Sequence, residues 1–216
     1  MDNPWKHIIE EDYVGHMSSP AVLQRPLLNR LLRDELTVTQ PASVLIIGSS
    51  TGNGVEHIDP QRTRRVECID INPTFIRSLR ERFPDPPFQL TVHCMDVMEF
   101  DFRPSSYDLV HAALLFEYIG WQTILPHIVR SLTPGGVLSV VIQLPSATAP
   151  AVTPTPYTRL RALESVFHFV EPDRLIEQAT GQSLILDKHS TEPLPSGKAF
   201  EVFRFVKQSG PVEDHR

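Results

Sequence analysis

The chain has 216 residues, of which 41% are hydrophobic and 21% charged, and its formal net charge is −6. That length and composition call for one globular domain with a sizeable core and exclude a chain disordered throughout. The acidic total argues against a broad basic face for nucleic acid, and Arg62, Arg64 and Arg65 read as part of a solvated loop.

The first 40 residues read as helical. From Pro20 to Leu36, apolar residues recur at helical spacing (Val22, Leu23, Leu27, Leu28, Leu31, Leu32). Ser18 or Ser19 is the expected cap, and Pro26 kinks or restarts the helix. An alternation then begins. Strands are expected at Ser43–Ile47, Val66–Asp70, Gln89–Cys94, Tyr107–Ala112 and Val137–Ile142. Between them lie a short helix near Asn53–Ile58 and a helix from Pro73 to about Phe83 capped by Asn72. Another helix is expected from Trp121 to Leu132, and Thr133-Pro134-Gly135-Gly136 forms a tight turn. Strands this apolar, separated by helices, imply a parallel sheet covered on both faces.

After the fifth strand the rhythm changes. Residues 145–156 carry Pro145, Pro150, Pro154 and Pro156 and read as a semi-rigid loop. Helices are expected at Tyr157–Phe167 and Pro172–Thr180. The runs Ser183–Asp187 and Phe200–Val206 then predict an antiparallel hairpin, and a frayed tail occupies residues 209–216.

Cys68 and Cys94 are the only cysteines. Both sit in strand-like runs and read as small buried thiols of a reducing compartment, without metal-ligand spacing. The opening Met1-Asp2-Asn3-Pro4-Trp5-Lys6 lacks the pattern of a secretory signal. No apolar run approaches the ~18 residues a membrane span requires. A cytoplasmic protein without membrane contact is expected.

The most informative stretch is Val44-Leu45-Ile46-Ile47-Gly48-Ser49-Ser50-Thr51-Gly52-Asn53-Gly54. An apolar run enters a Gly-rich turn, a second run ends at Asp70, and a third ends at Asp96. Parallel-sheet proteins build a nucleoside site in this way, at the carboxyl edge of their first strands. An acid at the tip of the second strand can take both ribose hydroxyls, and one at the third can face an adenine amino group. The spacing Gly48-x-x-x-Gly52-x-Gly54 is not the dinucleotide fingerprint, and no Lys-Ser or Lys-Thr follows as a phosphate loop requires.

From Pro41 to Lys207 the chain resembles the class I S-adenosylmethionine (SAM)-dependent methyltransferases. Val44 to Gly52 is similar to the family's Gly-rich first motif, Ile69-Asp70-Ile71-Asn72-Pro73 to its second and Met95-Asp96-Val97 to its third. Leu132-Thr133-Pro134-Gly135-Gly136 is similar to the turn that precedes strand 5 in many members. The resemblance implies a Rossmann-like α/β three-layer sandwich, its mostly parallel seven-stranded sheet ending in an antiparallel hairpin. It implies an N-terminal helical lid segment (1–40), a SAM-binding domain (41–208) and a tail (209–216), forming a single domain overall. It also implies SAM as cofactor, with S-adenosylhomocysteine as product, bound by Gly48, Ser49, Ser50, Gly52, Asp70, Ile71, Asp96, Val97 and Ala112. Two departures stand out. Ile46 replaces the usual acid before the first glycine, and Ser50 replaces the usual second glycine.

Methyl transfer from a sulfonium is an in-line displacement, in which alignment alone supplies roughly 7–11 kcal/mol and no conspicuous catalytic dyad is needed. Candidates near the reacting methyl are His111, Glu117 and Tyr118 at the end of strand 4. His111 reads either as a base or as a satisfied buried histidine. Tyr13, His16, Met17 and Tyr157 are expected to line the acceptor pocket, where residues 1–17 and 145–157 meet over the cofactor. The strand-4 end lacks the Asn-Pro-Pro-Tyr pattern of amino-nitrogen methyltransferases acting on nucleobases or amides. The expected function is transfer to a small-molecule acceptor by a monomer or homodimer, with no metal. A SAM-binding module without turnover is the alternative, and a nucleic-acid methyltransferase is a weaker one.

Overall fold

The computed structural model describes residues 3–209. Its centre is a seven-stranded sheet of order β3-β2-β1-β4-β5-β7-β6. Strands β1 (Ser43–Ile47), β2 (Arg65–Asp70), β3 (Gln89–Cys94), β4 (Tyr107–Ala113) and β5 (Leu132–Gln143) run parallel. β6 (Leu184–Pro193) and β7 (Ala199–Lys207) close the sheet antiparallel, β7 lying between β5 and β6. The mostly parallel sheet with its antiparallel end agrees with the expected architecture.

The central strands are apolar on both faces because both are covered. Leu45 and Ile47 of β1 face one layer, in which α4 (Trp121–Ser131) and α5 (Pro172–Thr180) contribute Ile124, Leu125, Ile128 and Leu175. Val44 and Ile46 face the other, which includes Leu32 and Leu36 of α2 (Gln24–Thr39) and Leu79 of α3 (Pro73–Arg82). Each fully buried aliphatic side chain contributes roughly 1.5–3 kcal/mol. A one-residue slip would exchange the two faces of a strand, so these layers also hold the register.

Several boundaries differ from expectation for local physical reasons. The N-terminal region is two helices, α1 (Glu10–Ser18) and α2. Ser19 does not cap a helix beginning at Pro20. It ends α1, its Oγ donating to the His16 carbonyl at 2.9 Å. Leu23 adopts φ 51° and α2 starts at Gln24, so Pro26 falls in the first turn, where its missing N–H costs nothing. Only a 3-10 turn, Val55–His57, occupies the expected short helix near 53–58.

The turn before β5 is absorbed into the strand as an irregularity. Pairing jumps from Tyr107↔Leu132 to Leu109↔Val137, and Gly135 takes φ 77°. Residues 158–165 form a 3-10 helix rather than an α-helix. Its buried Leu160 and Leu163 are three apart, the spacing that a 3-10 turn stacks on one side. The hairpin is longer than its apolar runs suggested, because polar β6 residues pair with aromatic β7. His189, for example, stacks on Phe203 at 4.6 Å.

Cys68 is buried, whereas Cys94 is exposed at the end of edge strand β3. The buried reading of Cys94 is therefore corrected: an edge strand leaves its terminal residue uncovered. Among the described residues, no helix is long and apolar enough to cross a membrane. The frayed tail expected at 209–216 lies, apart from Ser209, outside the described residues.

Candidate functional site

The site forms where β1 and β4 end side by side. Gly48 takes φ 73° directly after β1, and the amides of Gly48 and Ser49 both donate to the Ile69 carbonyl at 2.9 Å. A Cβ on Gly48 would sit 3.2 Å from the Leu115 side chain, so this residue gives main chain access where a larger one would crowd. Ser50 adopts φ 50°, a left-handed conformation that explains why glycine suits this position. Its amide donates to Asp70 Oδ2 at 2.8 Å, while Asp70 Oδ1 accepts from the Asn72 amide at 2.9 Å. Burial pushes the Asp70 carboxyl up to about 6, and these main-chain donors pull in the opposite direction. The buried side chains of Ser49 and Ser50 face Cys68 and Tyr13, respectively, while the buried Thr51 hydroxyl has no partner.

At the end of β4 the chain turns sharply. Leu114 takes φ 52°, rare for a leucine, and its amide donates to the Val141 carbonyl at 2.8 Å. This turn brings Leu115, Glu117 and Tyr118 over the sheet edge. Glu117 is 0% exposed. Its Oε1 accepts from the Gln143 amide at 2.6 Å, and its Oε2 has no partner. Burial pushes Glu117 up to about 7. Burial also raises the Tyr118 phenol, and the neighbouring Glu117 adds to that shift.

The N-terminal segment roofs this edge. The Asn72 side-chain amide donates to the carbonyls of Trp5 and Ile8, both at 2.7 Å, tying the segment to the loop that carries Asp70. Ser78 Oγ donates to Glu10 on α1. On the other side, His16 Nδ1 meets Thr155 Oγ1 at 2.9 Å, and Arg159 pairs with Asp12 at 2.9 Å. Burial pushes His16 down to about 4, with the positive Lys198 adding to the shift. Lys198 Nζ donates to the Ala151 carbonyl at 2.7 Å and to Gln143 Oε1 at 3.3 Å, and burial lowers it to about 8. Residues 3–18 and the loop after β5 thus meet, as expected, and enclose a cavity of about 1010 Å³, mouth included.

Ten of the residues singled out from sequence line this cavity. They are Gly48, Ser50, Asp70, Ile71 and Val97 from the cofactor set, Glu117 and Tyr118 from the catalytic set, and Tyr13, His16 and Met17 from the acceptor set. The others do not. His111 is 4% exposed within β4, with Nδ1 3.0 Å from Ser139 Oγ on β5, and burial lowers it to about 4. It is buried and hydrogen-bonded within the sheet and does not line the cavity, which fits the satisfied buried histidine of the two readings. Ala112 points into the core while Ala113 lines the wall, as strand alternation requires. Gly52 faces Leu79 and Phe83 rather than the cavity. Ser49 sits behind the loop, beside Cys68. Asp96 lies between the lining residues Met95 and Val97, and its Oδ1 accepts from the Met98 amide at 3.0 Å. The Tyr157 ring is pressed against Gly15 of α1, where a Cβ would lie 2.3 Å from it, and so serves as the floor of α1 rather than as cavity wall.

Sequence reasoning missed Trp5, Phe75, Gln143, Phe167 and Lys198, all of which line the cavity. Gln143 carried a signal, as a polar residue ending an otherwise apolar strand. Lys198 carried none, since it sits in a polar hairpin loop that only the tertiary fold buries.

Residues 44–136 match the model of a methyltransferase-domain family. An uncharacterized methyltransferase of Schizosaccharomyces pombe is 23% identical over 129 residues, 59% of this chain and 49% of that protein, so the chain spans about half the length of this curated relative. The N-methyltransferase NodS of Bradyrhizobium japonicum, crystallised with S-adenosyl-L-homocysteine, superposes with a TM-score of 0.67 at 19% identity, covering 95% of this chain and 99% of its own. The cyclase SpnF superposes with a TM-score of 0.66 at 11% identity, covering 85% of this chain and 81% of its own. Residues 44–136 thus match a methyltransferase domain, set in a Rossmann-like fold with a glycine loop after β1, Asp70 at the tip of β2 and an antiparallel β7 beside β5.

Proposed function

We propose that this protein moves a methyl group from SAM to a small-molecule acceptor. The observation that carries the reading is that one enclosed cavity joins Asp70, at the cofactor-side glycine loop, to Glu117 and Tyr118 beyond β4. The residues present fit the cofactor. Gly48 leaves a cradle that a Cβ would crowd, and the buried Asp70 carboxylate lines the cavity with its oxygens oriented by the Ser50 and Asn72 amides. In this reading Asp70 would take the ribose hydroxyls and Ile71 and Val97 would hold the adenine, with Asp96, between the lining residues Met95 and Val97, at the amino-group end. When bound, SAM supplies an electrophilic methyl on a sulfonium. The chain's own contribution is to orient the acceptor and exclude water under the N-terminal segment, which acts as the lid. A cavity closed by Trp5, Tyr13, His16 and Val152 supports an acceptor of small-molecule size. The free thiol of buried Cys68 fits a reducing, cytoplasmic setting.

A second reading, a SAM-binding module without turnover, is favoured by one observation. Ile46, buried in the core, stands where the family usually carries the acid that helps hold the methionine ammonium. Calorimetric titration with SAM and S-adenosylhomocysteine, followed by an acceptor panel with methyl-labelled SAM, separates the two. Binding with label transfer to a small molecule is the expected result. Binding without transfer selects the module, and binding of neither compound overturns both readings.

A further inference from the structure

We propose that the acceptor is an amine, bound as an ammonium between the free oxygen of Glu117 and a wall of aromatic rings; the ammonium gives its proton to Glu117 Oε2, and the nitrogen lone pair so freed would form the new N–C bond as the C–S bond of the methyl donor breaks and S-adenosylhomocysteine leaves. This rests on the methyltransferase reading and names the substrate class of the same site.

Glu117 is the first support. It is 0% exposed, it lines the cavity, and only one of its oxygens is engaged, by the Gln143 amide. Among the described residues no cation pairs with it and Oε2 has no partner. A buried carboxylate oxygen without a donor is costly, and such an atom on a cavity wall marks where a ligand donor belongs. A carboxylate or phosphate group at this end would meet like charge, whereas an ammonium would satisfy both the charge and the lone pairs.

The rings are the second. Phe75, Tyr13, Trp5, Tyr118 and Phe167 form a continuous chain along the cavity. Successive centroids lie 4.7, 6.1, 4.9 and 5.5 Å apart. Trp5 and Tyr118 meet at 88°, an edge-on pairing that leaves ring faces on two different sides. Aromatic faces attract cations, most strongly where water is excluded. A neutral hydroxyl acceptor could bond Glu117 but would leave those faces without a charge to stabilise.

The third is polarity. Lys198 lines the same cavity at the side-chain end of Gln143, while Glu117 binds its main-chain end. One residue thus separates the cationic from the anionic wall, and an incoming amine is directed to the Glu117 side, next to Tyr118 and the end of β4.

The test compares two probes of nearly equal shape, protonated N,N-dimethylethanolamine and 3-methyl-1-butanol, in which a C–H replaces the charged N–H. Binding is read by ligand-observed NMR on the protein with and without S-adenosylhomocysteine. The amine should bind roughly tenfold tighter than the alcohol. Glu117→Gln should remove about that preference and Tyr118→Leu should reduce it, while affinity for S-adenosylhomocysteine stays within a few-fold. Equal or undetectable binding of the two probes to the unmodified protein overturns the proposal, and this comparison needs no variant to fold. If Glu117→Gln instead abolishes S-adenosylhomocysteine binding, Glu117 serves the cofactor's own ammonium and the proposal also falls. Failure of the unmodified protein to bind S-adenosylhomocysteine is a separate result that removes the methyltransferase reading beneath it.

Discussion

Asp70 is held by two main-chain donors before any ligand reaches it, and that arrangement gives it two roles. It organises the loop through Ser50 and Asn72, and it presents remaining lone pairs to the cavity. Asp70→Ala should therefore weaken binding of S-adenosylhomocysteine at least tenfold, since hydrogen bonds to a charged group are worth about 1.5–3 kcal/mol each. It should also lower Tm, because two amides lose their acceptor. Unchanged affinity by calorimetry would remove Asp70 from the site. Ser50→Gly should keep affinity within a few-fold or tighten it, as glycine accepts φ 50° without strain. Loss of binding there would mean that the buried Ser50 hydroxyl contacts the cofactor. Glu117 supplies a pH signature. Burial raises it from 4.5 to about 7, so the native state binds its proton more tightly than the unfolded chain does. Its contribution to stability is fully present below about pH 4.5 and is lost as pH rises through 7. Glu117→Gln removes that loss. Urea unfolding should show the variant gaining roughly 3 kcal/mol on the unmodified protein between pH 4 and pH 8, and a flat difference would show that the carboxylate is solvated. Gly48 and Asp70 could be located from sequence because the carboxyl ends of parallel strands converge on one edge. Trp5, Phe167 and Lys198 could not, since each reaches the cavity from a segment whose position depends on contacts far away in the chain.

Among the elements, β1 to β4 were legible to within a residue, because buried strands demand apolar runs, whereas the start of β5 was not, since its first five residues read as a helix end and a turn. The N-terminal helices were less so. A left-handed Leu23 and a terminating Ser19 leave no pattern that distinguishes two helices from one. α1 carries a feature that periodicity alone does not explain. Gly15 lies in its interior, where glycine costs roughly 0.5–1 kcal/mol relative to alanine. The reason is Tyr157, whose ring occupies the space a Cβ would need. Gly15→Ala should thus favour the isolated helix yet push α1 off the loop after β5. The expected outcome is S-adenosylhomocysteine affinity within a few-fold of the parent and at least a tenfold fall in labelled-methyl transfer. Unimpaired transfer would show that the contact between α1 and Tyr157 does not shape the acceptor end. Gly52 is a different case. Its φ of 78° and its contacts with Leu79 and Phe83 anchor the glycine loop to α3. Gly52→Val should lower Tm and cofactor affinity together, a paired loss that distinguishes loop anchoring from direct ligand contact.

At the scale of the whole molecule, the cavity floor and roof come from parts of the chain with different attachments. The floor is the sheet edge, with β1 and β4 buried on both faces. The roof is residues 3–18 together with the loop after β5, joined through His16 to Thr155 and Asp12 to Arg159, and fastened to the floor by Asn72. Its cluster of Ile8, Phe75, Val152, Leu160 and Leu163 is separate from the two clusters flanking the sheet, so it can open at a lower free energy than the sheet unfolds. Removal of residues 1–17 would strip Ile8 from this cluster and free the Asn72 side chain beside Asp70, so truncation should weaken cofactor binding as well as transfer. Hydrogen exchange gives the cleaner test. On addition of S-adenosylhomocysteine, amides in residues 3–23, 48–54 and 145–166 should exchange at least several-fold more slowly, because the ligand binds only the closed arrangement. Amides of β6 and β7 distant from the cavity should not change. Slowing confined to residues 48–54 would mean that the roof does not respond to the cofactor, and the lid role of the N-terminal segment would be withdrawn. Slowing in the roof and the glycine loop together would show that both ends of the cavity close around one ligand.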